Sequence, residues 1–348
     1  MPVSHISPLR QLRRSDAEAF GGKSANLGEL LSAGIPVPPG FAVAASAFRD
    51  FIAETGLGGA IASAMARASS GTVEDGAAAS KAIGEAMRFA LLPEGVRAGL
   101  ESHYGDLAGD GDTEPAVAVR SSAIGEDGDD ATFAGQQESF LWVRGFEHLC
   151  DAVRDCWASL YTPRAIGYRA ARGAGGEDPA MGVTVQTMVD AEVSGVLFTC
   201  NPVSGDPSMV AVNASWGLGL AVVGGETNPD DYLVSKVTGE VVGRAINSKE
   251  IEYVVEPGGR GTARVEVPCD RRETACLDDT RLAELVALAK RIERHFGSHQ
   301  DIEWSIERQT GALYALQARP VTAEHDAPTV SGSAISLVMD AFGAGDRR

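Results

Sequence analysis

Near the end of the sequence, spacing alone gathers two oxygen-bearing side chains and a guanidinium on one surface. In Asp301-Ile-Glu-Trp-Ser-Ile-Glu307 the apolar Ile302, Trp304 and Ile306 alternate with Asp301, Glu303 and Ser305, the period of a strand with one buried face. Gln309-Thr-Gly311 suits a three-residue hairpin loop with glycine in the left-handed position. That loop pairs Arg308 with Ala312, which sets Glu303 opposite Gln317 and Asp301 opposite Arg319. Opposed side chains share a face, with Cβ atoms roughly 5 Å apart. Carboxylate and amide oxygens suit Mg²⁺, and Arg suits the oxygens of a polyphosphate. A solvated hairpin face with ordinary cross-strand pairs is the competing reading.

Two other segments carry cations that could meet phosphate. Gly22-Lys23-Ser24 resembles the end of a P-loop, but that motif requires Gly at position 17, which is Ala, so a Walker A site is rejected. What remains is Lys23 beside a glycine pair at a helix start, where free N–H groups favour anions. It reads equally as a phosphate ligand or a solvated lysine. Arg120 ends the buried stretch 116–119 and opens a long polar loop to Ser139. The loop offers backbone N–H groups and hydroxyls that can cradle an anion, while the acids within 126–130 must face away from it.

Other motifs fail. Gly217-Leu-Gly219 lacks the third glycine of a dinucleotide fingerprint, since position 222 is Val. No nucleophile elbow is present. The six histidines show no metal-ligand spacing beyond His295 and His299, for which a helix-end cation role is expected.

These residues must be positioned by helices first and strands later. Helical periodicity covers about residues 24–32, much of 46–104, 146–171 and 279–296, with 35–41 extended by its prolines. Strands are expected at 183–189, 195–199 and 209–214, before the final hairpin. The class is α+β. The expected division is an N-terminal lobe or lobes over 1–182, a C-terminal lobe over 183–322, and a linker and tail over 323–348, with a short amphipathic stretch at 334–342.

The formal net charge of −18 argues against nucleic acid and against anionic membrane. Only five of the 30 Lys and Arg residues are Lys. A polyphosphate site in such a chain must gather its cations locally and recruit a divalent metal. Residues 1–20 show no apolar leader, and no run is long enough to span a membrane. Five cysteines without a CxxC pair point to reduced thiols, and a cytoplasmic location is expected.

Together the segments resemble the nucleotide-binding domain shared by phosphoenolpyruvate synthase, pyruvate phosphate dikinase and rifampicin phosphotransferase. The matching pieces are Gly21-Gly-Lys-Ser-Ala-Asn-Leu-Gly28, Ile35-Pro-Val-Pro-Pro-Gly-Phe41, Val119-Arg-Ser-Ser122, Phe133-Ala-Gly-Gln-Gln137, Ser194-Gly-Val-Leu-Phe-Thr199 with Asn201-Pro202, Ala214-Ser-Trp-Gly-Leu-Gly219, Asp301-Ile-Glu-Trp304 and Gln317-Ala-Arg-Pro320. Eight pieces in family order make the resemblance specific. It implies an ATP-grasp fold with two lobes clamping ATP. It implies that Lys23 and Arg120 contact phosphates, that Gly135 and Ser139 lie on a phosphate-covering loop, and that Gln186 sits at the adenine. Glu303 and Gln317 would serve Mg²⁺ and ATP, and Arg319 the transferring phosphoryl group.

Two departures qualify it. Many relatives carry Glu directly after Gly-Leu-Gly, where this chain has Leu220, with Glu226 nearby. None of the six histidines lies in a phospho-carrier motif. The expectation is therefore one subunit of a split enzyme, as in phenylphosphate synthase. It would pass a phosphoryl group from Mg·ATP to a histidine on a partner subunit, which would phosphorylate a small acceptor such as pyruvate or a phenol. A non-catalytic ATP-sensing module and a self-sufficient small-molecule kinase are the alternatives.

Overall fold

The computed structural model describes residues 5–69, 72–109, 114–124, 138–172 and 180–321. Helices are interspersed with strands whose pairings in the sheets are antiparallel, which makes the class α+β. The chain divides into two compact units, Met1–Gly28 with Pro39–Met188 and Glu29–Pro38 with Val189–Arg348. The expected boundary after residue 182 falls inside a strand of the first unit. The tail expected at 323–348 lies outside the described residues, as do the stretch 334–342 and His325.

In the first unit, β1 (Ile6–Pro8) is followed by α1 (Ala17–Phe20), α2 (Gly22–Ser32), β2 (Gly40–Val43) and α3 (Ala45–Thr55). Then come α4 (Leu57–Ser69), α5 (Val73–Phe89), α6 (Glu94–Gly105), β3 (Val117–Ala123), β4 (Ser139–Val143), α7 (Phe146–Ala158), α8 (Pro163–Arg172) and β5 (Met181–Thr187). The division runs through α2, between Gly28 and Glu29. The sheet order is β1-β2-β5-β3-β4, with every pairing antiparallel. One face of it, with Phe41, Val43, Val117, Val119, Val183 and Val185, packs into a core with Phe48, Phe51 and Trp157. The Phe51 and Trp157 ring centroids stand 5.2 Å apart.

Local signals explain the breaks. Thr72 and Asp75 form a reciprocal capping box at the start of α5. The helix expected over 146–171 is two helices, because Pro163 cannot continue a preceding turn and opens α8 instead. Arg120 was expected to end its strand, but β3 continues through Ser121 and Ser122 to Ala123, so Arg120 sits at its middle. The small hydroxyls are buried and hydrogen-bonded, which lets polar residues continue a buried strand.

The second unit holds β6 (Ala191–Phe198), β7 (Met209–Trp216), α9 (Leu220–Val223), β8 (Asp230–Ser235), β9 (Val241–Ala245), β10 (Ile251–Val255) and β11 (Thr262–Glu266). It ends with α10 (Cys269–Arg272), α11 (Asp279–Phe296), β12 (Gln300–Glu307) and β13 (Leu313–Pro320). Its six-stranded antiparallel sheet has the order β13-β12-β6-β7-β8-β9, and β10 pairs with β11 separately. The glycine-rich region near 256–261 is the turn of that smaller hairpin. The longest helix, α11, begins where Asp278 accepts a hydrogen bond from Arg281 N–H and stops at left-handed Gly297. It buries Leu282, Leu285, Val286, Leu288, Ala289 and Ile292. Gly195 in β6 allows a close approach: a Cβ there would stand 1.8 Å from Asn213 O and 2.9 Å from the Trp304 ring. At the outer edge, Val242 is an extra residue in β9, since Gly243 faces Leu233 while Val241 faces Val234.

A fully buried ion pair anchors the start of β8. Lys249 Nζ donates to Asp230 Oδ1 and to Asn247 O, and neither side chain of the ion pair is exposed. Asp230 also accepts from Asn247 N–H at 3.1 Å and Cys276 N–H at 2.8 Å. Removing one partner of such a pair strands a charge in the interior. Lys249→Met is therefore expected to lower the unfolding free energy by about 3–5 kcal/mol in equilibrium denaturation. A midpoint near that of the wild type would show that Asp230 is satisfied without the lysine.

Candidate functional site

In the first unit, four sequence-predicted residues converge on the face of the sheet turned away from the core residues. Arg120 in β3 pairs with Ser139 in β4 on one side and Thr184 in β5 on the other. Directly paired residues share a face, and Gln186, two positions beyond Thr184, shares it too. The start of α2 docks on this same face. Ser24 N–H donates to Ser122 Oγ at 3.2 Å, and Ser24 Oγ lies 2.7 Å from Thr184 Oγ1. Lys23 is buried, with Nζ donating to the carbonyl of Ser121 at 2.9 Å. Two cations 97 positions apart thus meet on one strand, the lysine held by the peptide next to Arg120. The helix N-terminus adds its free N–H groups beside them.

Gln186 is buried, and its strand runs beside Gly40. Ser139 is exposed at the start of β4. Gly135 and the acids at 126–130 lie outside the described residues.

In the second unit, the hairpin of β12 and β13 sets Glu303 opposite Gln317 and Asp301 opposite Arg319, the pairs expected from spacing. The route to them differs. Glu307 N–H donates to Ala312 O at 2.9 Å, so the connection is the four residues 308–311 instead of three. Left alone, that register would set Glu303 opposite Leu316 and turn Gln317 to the other face. A bulge between Glu303 and Trp304, with Leu316 as the extra residue, restores the pairing.

Arg319 Nε donates to Asp301 Oδ2 at 2.8 Å. Burial pushes the Asp301 carboxyl above its ordinary range, even though the Arg319 guanidinium pulls it down. The other oxygen, Oδ1, is buried with no hydrogen-bond partner. Spacing sets Asp301 opposite Arg319 but gives it no role of its own. The signal that marks it is the pairing with Arg319, which fixes where the guanidinium lies.

No cluster of three or more His, Cys, Asp or Glu among the described residues could hold a metal by protein groups alone. Glu303 and Gln317 supply two hard oxygens, the number suited to a divalent cation that also takes polyphosphate oxygens and water. The orphaned Asp301 oxygen adds an unmet demand for a donor beside them. The residues therefore fit Mg·polyphosphate and would not fit a metal caged by protein alone.

Glu226, near the unusual Leu220, has both carboxylate oxygens 3.1 Å from the Tyr253 hydroxyl and an ion pair with Arg264. The side chains of four of the six histidines have partners. His5 pairs with Ser46 and Asp50, His103 with Gly99 O, His295 with Glu29, and His299 with Glu293.

Residues 17–334 match the family described as the pyruvate phosphate dikinase, AMP/ATP-binding domain. A protein of Methanocaldococcus jannaschii called probable phosphoenolpyruvate synthase is 42% identical over 92% of this chain and 27% of its own length. Phosphoenolpyruvate synthase of Neisseria meningitidis is 38% identical over 92% of this chain and 42% of its own. The chain thus spans less than half the length of these relatives. Among solved structures, PH1788 of Pyrococcus horikoshii covers 89% of this chain and 94% of its own at 9% identity and a TM-score of 0.39, too loose a likeness to bear on the fold. No helix among the described residues is long and apolar enough to cross a membrane.

The junction of α2 with β3 has no room to spare. Gly21 has φ +83°, and a Cβ there would stand 2.1 Å from Ser122 O. Gly21→Ala is expected to cost more than about 1 kcal/mol of stability through strain alone, with the helix start that carries Lys23 displaced. An unchanged melting temperature would show that the junction yields freely.

Proposed function

This chain belongs to the family of pyruvate phosphate dikinase AMP/ATP-binding domains, and we propose on that footing that it donates phosphoryl groups from Mg·ATP to a histidine on a partner subunit. The relatives named phosphoenolpyruvate synthase support ATP-dependent phosphotransfer as the reaction class. The observation that carries the reading is the convergence of Lys23, Arg120 and the start of α2 on one sheet face.

Lys23 and Arg120 bind phosphate oxygens, and the Ser121 carbonyl keeps the ammonium aimed. The covering of the phosphates is assigned to Gly135 and Ser139, and the reading of the adenine to Gln186. Glu303 and Gln317 hold the Mg²⁺, which when bound supplies positive charge against the phosphate oxygens. Arg319, kept in place by Asp301, neutralises charge on the moving phosphoryl group. One phosphoryl group goes to a histidine nitrogen, a second to water, and AMP and phosphate leave.

The histidine is assigned to a partner because His5, His103, His295 and His299 are tied to local partners and none of the six lies in a carrier motif. The final acceptor is a small hydroxyl or enol compound, such as pyruvate or a phenol, handled by that partner.

Two measurements test this. Removing a cation from a desolvated phosphate costs about 2–5 kcal/mol, so Lys23→Ala and Arg120→Ala should each weaken ATP use by tens to thousands of fold with the melting profile retained. Activity near wild type would return that residue to a structural role. Incubation with labelled ATP should leave little AMP from the chain alone, and AMP with labelled histidine once a carrier subunit is added. Stable label on a histidine of this chain, or rapid AMP formation without a partner, would sink the partner assignment. ADP formed with a small substrate alone would favour a self-sufficient kinase, and binding without any turnover an ATP sensor.

A further inference from the structure

The sheet of the second unit carries a residue row of which the proposed site uses only one end, Gln317 and Glu303. The register runs Gln317 opposite Glu303, Glu303 opposite Val196, Val196 opposite Asn213, and Asn213 opposite Asp231. Paired residues share a face, so Asn213 and Asp231 stand on the face that presents Glu303 and Gln317. Asn213 lies two strands from Glu303, about 10 Å at the usual strand spacing. Glu303, Val196 and Asp231 are each partly exposed, while Gln317 and Asn213 are buried in the same row.

Asn213 is 2% exposed, and its Oδ1 has no hydrogen-bond partner. Its Nδ2 is spent on Asp231 Oδ1, and Asn247 Nδ2 donates to Asp231 Oδ2 at 3.2 Å. What the pair offers outward is therefore acceptor oxygens only. Three further buried atoms without partners belong to the same face: Ser215 Oγ, Ser305 Oγ and Asp301 Oδ1. Ser305 faces Ser194, and Ser194 faces Ser215, one step along from the Glu303 row. Buried polar atoms are nearly always satisfied, so four orphans on one face of one sheet mark a surface built for donors that arrive with a ligand. The anchorage is rigid, because Asp231 follows Asp230, which is locked to Lys249.

We propose that Asn213 and Asp231 form a further acceptor subsite, taking O–H donors of the bound nucleotide complex. Polyphosphate oxygens bring no donors and are excluded by the negative charge. Two sources remain, the water shell of the divalent cation and the sugar hydroxyls. The assignment rests on the Mg·ATP reading above and extends its surface across β6 to β7 and β8.

The test uses the whole chain with Asn213→Ala, the milder Asn213→Ser and the isosteric Asp231→Asn, each first checked by thermal melting. Two quantities are measured: the Mn²⁺ dissociation constant in the presence of ATP, and the preference for ATP over 2′-deoxy- and 3′-deoxy-ATP in direct binding. A hydrogen bond to a charged or buried acceptor is expected to shift one of them by about tenfold. A shift in Mn²⁺ affinity assigns the subsite to metal-bound water, and a collapsed ribo preference assigns it to the sugar. Both quantities within twofold of wild type in a folded variant would overturn the subsite while leaving ATP binding in place. Failure of the wild-type chain to bind ATP would instead overturn the function on which the subsite rests.

Discussion

Every candidate ligand surface in this protein depends on one constraint, the strict alternation of side chains along a paired strand. A one-residue slip exchanges the buried face for the open one. Register therefore decides whether Glu303 meets Gln317 or the apolar Leu316. The hairpin turn alone sets the wrong answer, and the bulge at Leu316 corrects it over a single residue. Gly195 serves the same end from the next strand, since a side chain there would push β6 away from β7. The pair of oxygens proposed to hold a cation is in this sense a by-product of how strands are counted.

The first unit meets a different demand. A buried lysine is costly unless its ammonium is hydrogen-bonded, and here a peptide carbonyl of β3 satisfies it. The same contact brings Lys23 to the strand of Arg120, so the group that stabilises the lysine also aims it. Polar partners on β3 and β5, Ser122 and Thr184, fasten the start of the helix and leave Arg120 on the shared face.

Much of this was legible in the sequence where a signal was local and periodic. Helix α11 is bounded by Asp278 and Gly297, and its limits coincide with the apolar period. The final hairpin was legible from alternation, and its two cross-strand pairs have the expected register although the loop is one residue longer than its glycine suggested. Strands β9 and β11 were not legible, because their exposed and charged positions blur a period of two. The buried Lys249–Asp230 pair was invisible for another reason: nothing in the local sequence shows that two charges 19 positions apart will lose their water together. Asn213 was overlooked because a lone amide in an apolar run gives no hint of an unmet oxygen. Only the three-dimensional register exposes it.

The extra residue at Val242 has its own consequence. Strand β9 ends its sheet, and an open edge with free N–H and C=O groups is a template on which another chain can add itself. Val242 is half exposed there, as β-prone a residue as an edge could offer. The bulge breaks the even ladder of amides at that point, and the edge no longer presents a regular repeat to a stray strand. The irregularity acts as a guard for solubility, keeping an acidic protein with a long antiparallel sheet from growing sideways into fibrous aggregates.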